Sequence, residues 1–255
     1  VIGSVAALDA WLAQSERSFH LEIDTGMGRG GIRWHDTTSL AAIRDRLRDE
    51  PRFEGIFTHF SSADSSPDVT EAQWERFVTV VAELPSRPPV VHAANSAGGQ
   101  WGARFAGDLA RPGIFLYGGR AGALVPVPVA SLRARVHAVR RIRAGDPISY
   151  GETFRAPMDG EVATLGIGYA DGVLRSLSNK GLVAIGDDVW PIAGRVTMDM
   201  VMVVVPVGTA AVGQIATLFG GPISLDEQAE RAGTISYELL TAVGNRVTRR
   251  YGGQS

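Results

Sequence analysis

The 255 residues are 45% hydrophobic and 20% charged, with a formal net charge of −2, the profile of a folded globular chain rather than a disordered or fibrous one. That balance argues against nucleic acid or an acidic membrane as the main partner, and the absence of cysteine excludes disulfides, thiolate catalysis and cysteine-bound zinc. No apolar run approaches the roughly 20 residues of a membrane span, and residues 1–14 lack the basic start of a secretory signal.

The first half alternates helical and strand patterns. Residues 4–14 read as a helix with Ser4 as N-cap and Leu8, Trp11 and Leu12 on one face. A strand over 19–24 is followed by a helix over 36–50, with Leu40, Ile43 and Leu47 as its stripe. A strand over 55–60 and a helix over 70–84 follow, the helix facing the core with Trp74, Phe77, Val78 and Val81. Residues 89–94 and 113–117 complete the short strands. Such alternation predicts parallel strands joined by crossover helices.

After about residue 122 the pattern changes. Leu132, Ala134, Val136 and Ala138 alternate with Arg133, Arg135 and His137, the period of a half-exposed antiparallel strand. Turn signals recur at 144–146, 159–160 and 186–188, with β-rich runs such as 200–205 between them. Ser224 and Glu227 have capping-box spacing ahead of a short helix over 225–232, which Gly233 ends. The chain therefore divides into an α/β domain, 1–122, and a mainly β domain, 123–255.

In the strand over 19–24, Phe19, Leu21 and Ile23 share one face and His20, Glu22 and Asp24 the other. The ionisable face points either into a barrel interior or crevice, where unpaired charge is costly, or into water from an edge. Glycines and polar groups gather at the strand ends: Asp24-Thr25-Gly26-Met27-Gly28-Arg29, Thr58-His59-Phe60, Asn95-Ser96-Ala97-Gly98-Gly99 and Arg111-Pro112-Gly113. Most are carboxyl ends, where α/β folds carry their sites. Ser96 and the backbone N–H groups near Gly113 could hold a phosphate. Tyr150, beside Gly151, is either a packed strand residue or a proton-transfer base, the latter only if positive charge or burial tunes its pKa.

Taken together, IDTGMGR (23–29), FTHF (57–60), AANS (93–96), RPGIFLYG (111–118), SYGETF (149–154), IGYADG (167–172), GRVTMD (194–199), TISYE (234–238) and RVTRRY (246–251) resemble alanine racemase, a pyridoxal-phosphate enzyme, in the family's order and over both domains. The resemblance implies a partial (β/α)8 barrel, about its last five βα units, followed by an antiparallel β domain. It implies a cytoplasmic homodimer with shared active sites, interconverting L- and D-alanine through an aldimine with pyridoxal 5'-phosphate and supplying D-alanine for peptidoglycan. No metal is implied. Ser96, Gly113 and Ile114 are implied to bind the cofactor phosphate, with a hydroxyl from Tyr237. Arg111 is implied to donate to the pyridine nitrogen. Arginine gives up no proton there, which leaves a weaker electron sink and disfavours transamination. Tyr150 is implied to be one of two acid/base groups, from the opposite subunit, with His59 between it and Arg111. The resemblance likewise implies that Met198, also from the partner subunit, offers its N–H to the substrate carboxylate, that Arg29 approaches the cofactor phenolic oxygen and that carboxylate, and that Tyr169 lines the entrance.

Two departures stand out. Many family members carry a modified lysine where this chain has Glu22, so Glu22 is expected to pair with Arg29. The family's Schiff-base lysine has no counterpart either: the only lysine, Lys180, falls in a β-domain turn. Three βα units are therefore expected to be missing ahead of Val1, leaving the chain inactive alone. The alternatives are a racemase for another small amino acid such as serine, or a non-catalytic binding domain. A related decarboxylase is disfavoured because it uses a β-domain cysteine.

Overall fold

A computed structural model describes residues 1–252. The chain forms two compact units: Val1–Phe115 with Ala121–Val125, and Leu116–Arg120 with the residues from Pro126 onward.

The first unit alternates helices and parallel strands. Helix α1 (Val5–Gln14) starts where the Ser4 hydroxyl accepts the Ala7 N–H. Strand β1 (Phe19–Asp24), the two-residue β2 (Ile32–Arg33), helix α2 (Thr37–Leu47), strand β3 (Phe53–Phe57), helix α3 (Pro67–Ala82) and strand β4 (Val90–His92) follow. Asp36 and Ser66 cap α2 and α3 through the amides of Ser39 and Val69. The parallel sheet has the order β2-β1-β3-β4, and Ile2 makes a parallel bridge to Leu21 on β1. This is the βα repeat expected of part of a barrel. In β1 the apolar face is buried, with Leu21 and Ile23 nearly solvent-free, and His20, Glu22 and Asp24 alternate on the half-buried face.

Two expectations shift here. Helix α3 buries Thr70, Gln73, Phe77 and Val80, while Val78 is exposed. The packed face is turned because polar residues take core positions once bonded: Gln73 donates to the Thr25 hydroxyl and the His59 carbonyl and accepts from the Ser61 amide. The expected strand over 113–117 is a 3-10 turn, Ile114–Tyr117, with Leu116 and Tyr117 exposed. It pairs with no strand among the described residues, and an apolar run without a ladder partner cannot hold β geometry. A four-residue helix, α4 (Ala103–Ala106), precedes it.

The second unit is built on antiparallel strands. In chain order these are β5 (Leu132–Ile142), β6 (Pro147–Ile148), β7 (Phe154–Arg155), β8 (Gly160–Leu165), β9 (Leu182–Ile185), β10 (Asp188–Pro191), β11 (Val201–Val205) and β12 (Ile215–Phe219). Six form a sheet of order β10-β9-β12-β5-β8-β11, and β6 pairs with β7. The alternation read in β5 holds, with Leu132, Ala134 and Val136 buried. Every residue of β8, by contrast, is buried. Helix α5 (Leu225–Ala232) occupies the predicted residues: the Ser224 hydroxyl accepts the Glu227 N–H, and Gly233 closes it in the left-handed region. The buried Gln228 side chain clamps both backbone groups of Leu182 on β9. Helix α6 (Ser236–Ala242) was not expected; seven residues are too few for a clear helical period. No helix among the described residues is long and apolar enough to cross a membrane.

Candidate active site

In the first unit the candidate residues converge beyond the carboxyl ends of β1, β3 and β4. Arg111 is the hub. Its amide donates to the Ala94 carbonyl at 2.9 Å. Its Nη2 donates to the carbonyls of Thr58 (2.9 Å) and Ala93 (3.3 Å), and its Nη1 donates to His92 Nδ1. The guanidinium carbon lies 4.9 Å from the Phe57 ring centre. Burial pushes the Arg111 pKa down while the Glu22 charge opposes that shift. Arginine has five N–H donors and no acceptor, so the Nε–H and one Nη1–H remain for another group. Below this hub the Thr25 and Thr58 hydroxyls meet at 2.6 Å, both fully buried, and tie the ends of β1 and β3.

The loop after β4 supplies a second set of donors. The Gly113 N–H donates to Ser96 Oγ at 2.7 Å, so these expected phosphate ligands are adjacent. Asn95 fixes the loop by donating to the Phe60 carbonyl and accepting the Gly98 N–H. Ile114 opens the 3-10 turn, where amides have no acceptor within their own turn.

His59 and Arg29 lie in the same field. Burial first, then the Arg29 and Arg111 charges, lower the His59 pKa. The histidine bonded to Arg111 is nevertheless His92, inside the short apolar strand β4, and not the expected His59. The expected Glu22–Arg29 pair does not form: no ion pair joins them among the described residues. The Glu22 carboxylate instead lies under the glycine loop, 3.3 Å from where a Gly30 Cβ would stand. At Gly31, φ is +95° and a Cβ would come within 2.9 Å of the Asp24 amide and the Glu22 carbonyl, so the loop turns tightly over β1 and carries Arg29 to an exposed position. Asp24 anchors it by accepting the amides of Gly26 and Gly28 at 3.0 Å each. Desolvation raises the Asp24 pKa, and these bonds with the Arg33 charge outweigh it to leave it lowered.

In the second unit four of the strings meet. The amides of Tyr169 and Ala170 donate to the carbonyls of Thr197 and Met198, each at 3.0 Å. Arg246 pairs with both Asp171 (3.3 Å) and Asp199 (2.8 Å), and Ser149 Oγ donates to the Arg195 carbonyl at 2.8 Å. Tyr150 is 72% exposed on a turn where Ser149, Gly151 and Glu152 all have positive φ. Two of these are not glycine, a conformation of order 1–3 kcal/mol in cost that recurs at functional turns. Met198 is 53% exposed and Tyr169 44%, and the Met198 amide has no acceptor among the described residues. Tyr237 is half-exposed on α6. Lys180 follows the 3-10 turn Arg175–Leu177, and its carbonyl accepts from Arg231. Among the described residues no cluster of three His, Cys, Asp or Glu could hold a metal.

Comparison with known proteins covers both units. Residues 1–121 match the family model "Alanine racemase, N-terminal domain", and residues 129–251 match "Alanine racemase, C-terminal domain". An alanine racemase of Deinococcus radiodurans is 38% identical over 98% of this chain and 72% of its own length. One of Geobacillus kaustophilus is 39% identical over 91% of this chain and 63% of its own length. The chain thus spans 63 to 72% of these relatives. The solved alanine racemase of Bartonella henselae, described with covalently bound pyridoxal phosphate, superposes with a TM-score of 0.84 at 31% identity, over 98% of this chain and 72% of that one.

Proposed function

The chain belongs to the alanine racemase family, and on that premise we propose that it serves the interconversion of L- and D-alanine on pyridoxal 5'-phosphate. The observation that carries the proposal is the Arg111 cradle beside the Ser96–Gly113 donors. The cofactor offers a ring nitrogen and a phosphate. The cradle offers a permanent cation with two spare N–H groups for the first, and a hydroxyl with adjacent amides for the second. The residues present fit the group.

In this reading, domain 1–122 binds the cofactor: Ser96, Gly113 and Ile114 hold its phosphate. Bound there, pyridoxal phosphate supplies the electron sink that acidifies the alanine α-hydrogen. Arg111 donates to the ring nitrogen without protonating it, which keeps that sink moderate and favours simple proton exchange. Arg29, exposed and without an ion pair among the described residues, meets the substrate carboxylate and the phenolic oxygen, and the Met198 amide adds a second donor to the carboxylate. Tyr150 exchanges the α-proton of the L-enantiomer at its phenolic oxygen. A phenol acts as a base only beside positive charge, a role this reading gives to Arg29 and Arg111, whose charges act on His59. The exposure of Tyr150, Met198 and Tyr169 supports their service in the partner subunit's site of a cytoplasmic homodimer, with Tyr169 at the entrance and domain 123–255 as the donor of these groups.

Lys180 has no part in this chemistry, so the 255 residues alone are expected to bind the cofactor reversibly and to form no D-alanine. The test is a pyridoxal phosphate titration of this chain, then an assay of L-alanine conversion after adding the segment of the Geobacillus relative that lies outside the match. Binding followed by D-alanine formation supports the reading. No binding, or binding unchanged in Arg111→Ala, overturns it.

A further inference from the structure

His92 is one link of a longer chain of groups. Its Nε2 lies 2.9 Å from His20 Nδ1, and His20 Nε2 lies 3.6 Å from the Glu54 carboxylate. A guanidinium can only donate, so the Arg111 contact fixes His92 Nδ1 as an acceptor. The His92 proton is therefore on Nε2 and points at His20 Nδ1. His20 in turn carries its proton on Nε2, facing Glu54. One permanent cation thereby sets the tautomers of two imidazoles in series, and an acidic side chain terminates the line.

The path depends on a missing side chain. His20 is on β1 and His92 on β4, with β3 between them. In register, His20 stands opposite Gly55 and His92 opposite Phe57. The His20 ring crosses over Gly55, where a Cβ would lie 2.5 Å from its Cε1 and 2.6 Å from its Nδ1. Any other residue at Gly55 displaces the ring. The Phe57 ring stacks on His92 at 5.0 Å between centres and 17° between planes, which holds the second imidazole in the same line.

We propose that Gly55, His20 and Glu54 are positioning residues for Arg111: through His92 they fix which guanidinium N–H groups stay free for the cofactor ring nitrogen. This rests on the reading of Arg111 given above, and it adds to that reading three residues that touch neither cofactor nor substrate. Arg111, Asp108 and His20 are the charged or titratable groups that act on His92, and burial with the Arg111 charge holds its pKa at about 4. The neutral form that the line requires therefore persists through ordinary pH.

The test begins with the 255-residue chain labelled with 15N in its five histidines, without any ligand. Between about pH 6 and 8, long-range proton–nitrogen spectra are expected to show His92 protonated on Nε2 only. A His92 that is charged there, or protonated on Nδ1, overturns the line. Gly55→Ala and His20→Leu are expected to move the His92 signals. His20→Asn, which puts an amide oxygen where Nδ1 was, is expected to return them, and also shows whether a shift in the other two is mere unfolding. In a pyridoxal phosphate titration, His20→Leu is expected to weaken binding about tenfold, the upper value of one neutral hydrogen bond, and to change the absorption band of the bound form; His20→Asn restores both. If the histidine signals behave as stated but binding and spectrum do not change, the line is structural only and its positioning role is wrong. If the unsubstituted chain binds no pyridoxal phosphate, the cofactor reading of Arg111 fails while the histidine result stands.

Discussion

The two units hold their chemical groups in opposite ways. In the first, the groups are inside and bonded to one another: Arg111 to Thr58, Ala93 and His92, Thr25 to Thr58, Ser96 to Gly113. In the second, the backbone strings are knitted together by Arg246, Thr197 and Ser149, while Tyr150, Met198 and Tyr169 face outward. The difference teaches a division of labour. A half-buried cation needs most of its contacts arranged before a ligand arrives, because an unpaired charge in low dielectric is costly. Groups proposed to serve another chain need a rigid backbone beneath them and freedom at the tip.

The sharpest break in that comparison is Arg111→Ala. It removes the proposed ring-nitrogen donor and strands His92 with two carbonyls, so pyridoxal phosphate binding is expected to be lost and urea unfolding to show a loss of about 3 kcal/mol. Tyr150→Phe is the counterpart in the second unit. With an exposed hydroxyl removed, stability should stay within about 0.5 kcal/mol, while D-alanine formation by the reconstituted protein falls by about 10²–10⁴. A stability loss matching that of Arg111→Ala would end the contrast.

Leu165→Ala, at the fully buried end of β8, should destabilise by about 2–5 kcal/mol in urea. The His20 and His92 signals of the folded protein should stay unchanged. Acid titration separates the units more finely. The His92 pKa is pushed down to about 4 from 6.5, so the unfolded chain binds this proton first. Stability from His92 is complete above about pH 6.5 and is lost as pH falls toward 4, on the order of 2 kcal/mol. Denaturant melts across that window should show a slope that disappears in His92→Gln. The smallest effect expected is that of Glu22→Gln. Its field supports Arg111 without an ion pair, so pyridoxal phosphate binding should weaken about threefold, with stability nearly unchanged.

Much of this was legible in the sequence where the signal is local. Ser4 and Ser224 both cap helices, because a cap is a bond within three residues. The alternation in β1 and β5 also appears as read. The functional strings were legible because each is a short run that keeps its own order. What failed was contact between runs. Glu22 and Arg29 are seven residues apart and opposite in charge, yet the tight turn at Gly31 sends the carboxylate under the loop and the guanidinium out of it. His92 looked like part of an apolar strand because its partner, His20, lies two strands away.

The sequence by itself determined the α/β and β units, the helix caps, the strand faces and the family strings, since each follows from spacing along the chain. Only the tertiary structure decided that α3 packs through Thr70 and Gln73, that residues 114–117 turn instead of pairing, and that Gly55 leaves a passage from His20 to His92 and Arg111. The reason is physical: spacing fixes which face a side chain occupies, whereas its partner is set by strand order, register and the space left by residues far away in the chain.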